Sequence, residues 1–244
     1  MTKYPTAISL VQQVLGQFGL PVPVAVVGSV GDATATQMVY LLQMIGNRLI
    51  KPTSTHRWTT LKRTWQLSTI PATTLYDLPT DWDSFEDLTG WNFTSRLPML
   101  GPATDPQWQC LKARNLGSST ISVIYRTRGR QFEIYNAFST PQDLRIDYQT
   151  REWVYNPGSL SYASNITSDD DELLYDRELL TAALRLEFLT AKGFDTTAAL
   201  ADYNKLLEAA ICADAESPVL TVNLSDTYPL ISTQFNVPDT GYGA

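Results

Sequence analysis

The sequence predicts an α+β fold: a helical bundle formed by both ends of the chain, with an inserted antiparallel β module and an extended C-terminal arm. Near both ends, apolar residues recur at helical spacing. In the middle, apolar and polar residues alternate as in strands. After residue 213 the helical pattern ends among prolines. The predicted segments are N-terminal helices (1–58), a β module with a short helix (59–160), a C-terminal helix pair (161–213) and the arm (214–244).

The N-terminal segment predicts two helices. Ile8, Val11 and Leu15 recur at helical spacing, and Gly19 ends the first helix. Asp32 is suited to the N-cap of the second helix. The apolar face of that helix consists of Met38, Leu41, Leu42, Ile45 and Leu49.

The middle of the chain predicts an antiparallel meander with one solvated face. Gly129 marks the tip of a hairpin. Pro106 is suited to the first turn of a short helix over residues 104–113. The strand-like segments are residues 64–68, 73–79, 121–126, 132–134 and 144–149.

The C-terminal segment predicts two antiparallel helices joined by a tight corner. Gly193 is suited to the left-handed position just past the third helix. Asp195 or a following threonine caps the fourth helix. The third helix has the apolar stripe Leu180, Ala183, Leu184, Phe188 and Ala191, and the fourth has Leu200, Tyr203, Leu206, Leu207, Ala210 and Ile211.

Composition excludes several classes of protein. With 43% hydrophobic and 18% charged residues, the chain has a globular composition. A formal charge of −7 and the lack of a dense basic stripe argue against strong unaided binding of nucleic acid. The N-terminus lacks a signal-peptide pattern, and the longest apolar stretch, residues 18–30, is too short to span a membrane. Cys110 and Cys212 are interpreted as structural thiols in a reduced compartment.

No candidate site has a specific catalytic or cofactor motif, so we expect no catalytic residues, no cofactor and no metal. His56 is the only histidine; a surface position is favoured over a role as catalytic base. The glycines of GSVGD (28–32) lack the lysine of a phosphate-binding loop and are interpreted as a loop and N-cap. The acidic run Asp169, Asp170, Asp171 and Glu172 is interpreted as capping a helix, with a Ca²⁺ site as the alternative.

Two further groups of charged residues have competing interpretations. Asp81 with Glu86, or Asp171 with Asp176, would suit a hydrolase that uses paired carboxylates, but 25 acidic residues produce such pairs by chance. Possible inter-subunit contacts are Arg126, Arg128 and Arg130 at the hairpin tip, where a solvated tip or contact with DNA are the alternatives.

The arm has two strand-like segments, VLTVNL (219–224) and LISTQFNV (230–237). An isolated arm of this kind buries too little surface to offset its ordering entropy, so we expect it to order against a neighbour on assembly. A tail folded back on its own domain is the alternative. The residues expected to bind are Val219, Leu220, Val222, Leu224, Tyr228, Leu230, Ile231, Phe235 and Val237.

Four segments resemble a known family. They are MVYLLQMIGNRLIK…RW (38–58), YDLPTDWDSFEDLTGWN (76–92), the hairpin, strand and tryptophan of residues 125–154, and the helix pair of residues 169–210. In this order they are similar to head-to-tail adaptor (connector) proteins of short-tailed phages, of the tail tubular protein A type. The resemblance covers most of residues 5–213.

The resemblance implies a virion structural protein of the neck or tail, assembled in the host cytoplasm, without enzymatic activity or a membrane. Such adaptors form a homo-oligomeric ring, usually dodecameric, between the portal protein and the tail nozzle protein. DNA passes through their channel during ejection without specific binding. The alternatives are a virion-associated muralytic hydrolase with paired carboxylates and a carbohydrate-binding tail module.

Overall fold

A computed structural model describes residues 4–29, 31–53, 56–114 and 123–214. The helices in this part of the chain are α1 (Ala7–Gln17), α2 (Ala33–Leu49), α3 (Asp105–Arg114), α4 (Arg177–Lys192) and α5 (Thr197–Asp214), and a 3-10 helix spans Thr59–Leu61. The strands are β1 (Lys62–Ser68), β2 (Leu75–Asp77), β3 (Trp82–Phe85), β4 (Trp91–Asn92), β5 (Leu97–Leu100), β6 (Val123–Arg128), β7 (Gln131–Ile134), β8 (Asp143–Thr150), β9 (Val154–Asn156), β10 (Ser161–Ala163) and β11 (Glu172–Leu173).

Side-chain caps set the starts of three helices. Thr6, Asp32 and Asp176 each accept hydrogen bonds from backbone amides in the first turn of α1, α2 and α4. Among the described residues, no helix is both long and apolar enough to cross a membrane.

The larger sheet is curled, mixed and eight-stranded. Its order is β1-β8-β4-β5-β6-β7-β2, and β3 also pairs with β8. The pairing of β5 with β6 is parallel, so the predicted purely antiparallel meander is wrong. A smaller sheet has the order β10-β9-β11.

The prediction of a helical bundle is also wrong, although the α+β class is right. The helices are split around the β module. Residues from the β-rich segments complete the core against which the helices pack, and Trp153, Val154 and Leu173 are fully buried in that core. Helix α5 buries only Ala199, so it does not enclose a bundle core. The predicted arm lies outside the described residues apart from Asp214, and the predicted segment boundaries stay predictions.

Two hydrophobic cores divide the described part of the chain. We call α1, α2, α4, α5 and β9–β11 the helical half, and β1–β8 with α3 the sheet half. The helical half is built around aliphatic residues such as Leu10, Met38 and Leu180, all fully buried. The sheet half is built around Tyr125 and Phe132, whose rings stack at 5.0 Å.

Candidate assembly surfaces

The end of α5 is fixed beside the start of β1, a contact that we call the arm root. The Asp214 carboxylate accepts hydrogen bonds from the Thr59 amide at 3.0 Å and from the Thr59 hydroxyl at 2.5 Å. His56 Nε2 lies 3.3 Å from Asp214 Oδ2, and the imidazole packs edge-on against Trp58. The His56 side chain is only 10% exposed, so the interpretation as a surface histidine is wrong.

Strand β1 forms an open edge of the large sheet. Its seven residues alternate between exposed and half-buried, and none is buried. By contrast, β8, which pairs with β1 along its whole length, buries five of its eight residues. Among the described residues, only β8 pairs with β1. The second edge of β1 is therefore not covered by a strand from this part of the chain.

The arginines of the predicted hairpin tip occupy different environments. Arg126 is buried, pairs with Glu133 at 2.5 Å and lies over the Trp108 ring at 4.5 Å. It is therefore engaged within its own chain. Arg128 and Arg130 are exposed on either side of the turn between β6 and β7. For these two, a role in inter-subunit contacts stays a prediction.

The motif of residues 76–92 holds the sheet half together. The Tyr76 hydroxyl donates a hydrogen bond to a backbone carbonyl of the loop that precedes β2 and accepts one from the Ile70 amide. The Asp81 carboxylate accepts from the hydroxyls of Tyr148 at 2.9 Å and Thr150 at 2.8 Å, and pairs with Arg63 at 3.0 Å. Burial and the hydrogen bond to Asp81 raise the pKa of Tyr148 to about 12. Asp81 is therefore used to join strands.

A polar seam, formed by Lys51, Arg63, Asp83, Arg151 and Glu152, links the two halves. The Asp83 side chain is 8% exposed and pairs with Lys51 at 2.8 Å and Arg151 at 3.3 Å. Arg63 pairs with Glu152 at 2.7 Å and lies over the ring of Tyr162 in β10. Because Lys51 lies two residues after the end of α2 and Asp83 lies in β3, the seam ties the helices to the sheet.

The side chains of the acidic run do not cap the helix that follows it, so the interpretation as a cap of that helix is wrong, although the backbone carbonyls of Asp169 and Asp171 accept hydrogen bonds from the Ile8 and Ala7 amides in the first turn of α1. Asp169 accepts hydrogen bonds from the Val26 and Val27 amides, and Asp171 from the Thr167 and Ser168 amides. These two carboxylates therefore fix loops, whereas Asp176 is the residue that caps α4. Among the described residues, no three His, Cys, Asp or Glu side chains come together as a metal-binding group.

The corner between α4 and α5 has a glycine and a capping aspartate. Gly193 has φ +73° and closes α4. Asp195 accepts hydrogen bonds from the amide and hydroxyl of Thr197, and these bonds lower the pKa of Asp195. The predicted arm residues from Val219 to Val237 lie outside the described residues, so their contacts stay predictions.

The arm root and the seam were not predictable from local patterns in the sequence. Both join residues far apart in the chain, and periodicity within a segment carries no information on such pairs. The one available signal was chemical: His56 is the only histidine, and it stands two residues before Trp58.

Comparison with known proteins identifies the family. No curated protein matches the chain. The family model of the SU10 adaptor protein matches residues 6–225, and it extends beyond residue 213, where the resemblance seen in the sequence ended. The match indicates a phage adaptor family, but not specifically the tail tubular protein A type of short-tailed phages. Because it spans most of the sequence, the chain belongs to the SU10 adaptor protein family of phage structural proteins.

Proposed function

We propose that the chain is a head-to-tail adaptor that forms a ring, with twelve subunits as the expected number, between the portal and the tail nozzle of a phage. The family match over residues 6–225 is the observation that carries this proposal. Head-to-tail contacts repeated around an axis close into a ring, so each subunit needs two different complementary faces. The exposed Arg128 and Arg130 are candidates for one of these faces.

The proposed ring surrounds the DNA channel without binding DNA specifically. A formal charge of −7 per subunit supports this role, because negative charge repels phosphates and lets a duplex slide. Within the virion, the ring occupies the neck. In the arm, the apolar residues after Ser225 contact the portal or an adjacent subunit.

We further propose that the chain is not an enzyme. The engagement of the candidate carboxylates supports this proposal: Asp81 joins strands, Asp171 fixes a loop and Asp176 caps a helix. A peptidoglycan zymogram tests it. Clearing of peptidoglycan by the purified chain, abolished by Asp81→Asn, would contradict the proposal.

Electron microscopy of the purified full chain mixed with the portal protein of the same phage tests the adaptor role. We expect a ring of added density on one face of the portal. The double variant Arg128→Glu with Arg130→Glu should weaken ring formation, because charge reversal disrupts ion pairs between subunits. Arg185→Glu, at an exposed position on α4, is the matched control. Portal particles without added density would overturn the proposal.

A further inference from the structure

The open edge of β1 needs a cover. An exposed strand edge presents unpaired N–H and C=O groups and is a site of unwanted pairing between chains, which proteins blunt with charges, bulges or covering segments. Here Lys62 and Arg63 stand at the beginning of the strand, but Thr64 to Ser68 carry no charge. All seven residues of β1 pair with β8 without a register shift, from Lys62 with Gln149 to Ser68 with Asp143. The edge is therefore regular and long enough to accept another strand.

The inner side of this edge is also incompletely buried. Trp65 and Leu67 pack against the core of the sheet half but remain half-buried. The Trp65 ring reaches Phe132 at 5.2 Å, so further burial of Trp65 would extend the existing aromatic cluster. A strand laid beside β1 with apolar residues at alternate positions would cover both side chains.

The arm root brings the end of α5 close to the beginning of β1. Asp214 is bound to Thr59, and β1 begins at Lys62, after the 3-10 helix. At a rise of about 2 Å per residue in that helix, the start of β1 lies about 6 Å along the chain from the contact. Extended chain from Asp214 to Val219 reaches about 16 Å. The linker is therefore long enough to bring Val219 alongside Lys62.

The sequence that follows the linker has the length and pattern of a covering strand. VLTVNL (219–224) has six residues against the seven of β1. Leu220, Val222 and Leu224 share one face, as a strand over Trp65 and Leu67 requires. The family match ends at residue 225, directly after this segment, which therefore belongs to the matched unit, unlike the rest of the arm.

We infer that residues 219–224 pair with the open edge of β1 in the same chain, parallel to it, with Leu220, Val222 and Leu224 facing inward. The pairing completes the sheet before assembly and leaves the residues after Ser225 for a partner. This inference does not depend on the proposed adaptor role. It assigns the first part of the arm to its own subunit, and a second copy is the competing occupant.

Hydrogen exchange of the full chain tests the pairing. In Val222→Pro, where the amide and the strand geometry are lost, the β1 amides that face away from β8 should exchange at least about tenfold faster than in the unmodified chain. Gln234→Pro places the same substitution later in the arm and should leave β1 exchange unchanged. Equal β1 exchange in Val222→Pro and the unmodified chain would overturn the inference.

Crosslinking distinguishes the chain's own arm from that of a second copy. With the exposed Cys110 and Cys212 replaced by serine, the pair Gln66→Cys and Asn223→Cys is treated with a short bis-maleimide. We expect a crosslink within one chain. The control pair, Gln66→Cys with Val222→Cys, should react at least about fivefold less, because neighbouring strand residues face opposite sides. Crosslinked dimers, or equal reaction of the two pairs, would overturn the inference.

Discussion

The helical half and the sheet half differ in where their half-buried apolar residues lie. In the helical half, Leu10, Leu42 and Leu180 are fully buried, and Trp153 and Val154 close the core from the β side. In the sheet half, four apolar residues that pack against the core remain half-buried: Trp65, Leu67, Trp82 and Phe85. Half-buried residues also pack on the helical core, among them Tyr203, Leu207 and Ile211 of α5, so neither half is fully closed; in the sheet half, Trp65 and Leu67 mark the open edge of β1.

This difference indicates which part of the molecule can accept a further strand. The helical core stabilises its half through the burial of apolar surface. In the sheet half, the open edge of β1 and the exposed turn between β6 and β7 have polar groups with which a further strand or subunit can pair. The arm root lies where the two halves meet, because Asp214 ends α5 and Thr59 precedes β1.

The largest effect on stability should come from replacing a fully buried tryptophan with alanine, and the same replacement at a half-buried tryptophan serves as the comparison. Trp153 is fully buried, and its Nε1 donates to Asn47, so Trp153→Ala should lower the free energy of unfolding by about 3–5 kcal/mol. Trp65→Ala, at the half-buried edge, should cost less than half as much. Chemical denaturation of both variants measures the difference. Equal losses would show that the edge is as tightly packed as the helical core.

The packing of the helical half can be tested at glycine. A Cβ on Gly46 of α2 would lie 2.3 Å from the Trp153 ring, so Gly46→Ala should destabilise the fold by about 1–3 kcal/mol. Gly16 of α1 has open space around it, and Gly16→Ala should instead raise stability by about 0.5–1 kcal/mol. Thermal melting of the two variants checks these opposite signs. A neutral Gly46→Ala would mean that Trp153 yields easily.

The corner of the helical half depends on backbone conformation alone. Gly193 has φ +73° and open space for a side chain, so Gly193→Val should cost on the order of 1–2 kcal/mol through strain. Gly193→Asn should cost less, because asparagine adopts this conformation more readily. An unchanged melting temperature of the valine variant would contradict this account of the corner.

The link between the halves should have a smaller and salt-dependent effect. Asp83→Asn removes the charge that pairs with Lys51 and Arg151 and should cost about 0.5–1 kcal/mol at low salt. This loss of stability should be smaller in about 1 M salt, where charges are screened over a distance of about 3 Å. Asp77→Asn, on the exposed side of β2, serves as the control. An equal loss in both variants would argue against the seam.

The smallest effect should be the pH dependence of the α5 cap. Because the pKa of Asp195 is lowered in the folded chain, its contribution is complete above the ordinary pKa of about 3.9 and is lost as the pH falls through the lowered value. Asp195→Ala should therefore melt below the unmodified chain at pH 7, and the gap should close on acidification. A gap independent of pH would show that the carboxylate charge does not matter.

Helices were predictable from the sequence because their signals are local. The spacing of Ile8, Val11 and Leu15 predicts α1, and Asp32 is the observed cap of α2. The strands β3, β4, β5 and β9–β11 were missed; each has two to four residues, and over so short a stretch an alternating pattern is weak evidence.

The arrangement of these elements was not predictable in the same way. The parallel contact of Met99 and Leu100 with β6 and the burial of Trp153 under Gly46 join distant parts of the chain. The bundle prediction failed for this reason. Helical spacing shows that one face of a helix is apolar, but it does not show that Trp153 and Leu173, which lie outside the helices, are buried in the same core. Among the candidate site residues, Arg126 has the same charge as Arg128 in the sequence, and what separates them is the burial of Arg126 against Trp108 and Glu133.

The six tryptophans give the molecule two separate optical reporters. Trp58 and Trp153 lie in the helical core, whereas Trp65, Trp82, Trp91 and Trp108 lie in the sheet half. Replacing the first two with phenylalanine would leave fluorescence that arises from the sheet half alone. Because Trp65 is at the open edge, the wavelength of that emission would report the loss of water from this edge when a strand covers it.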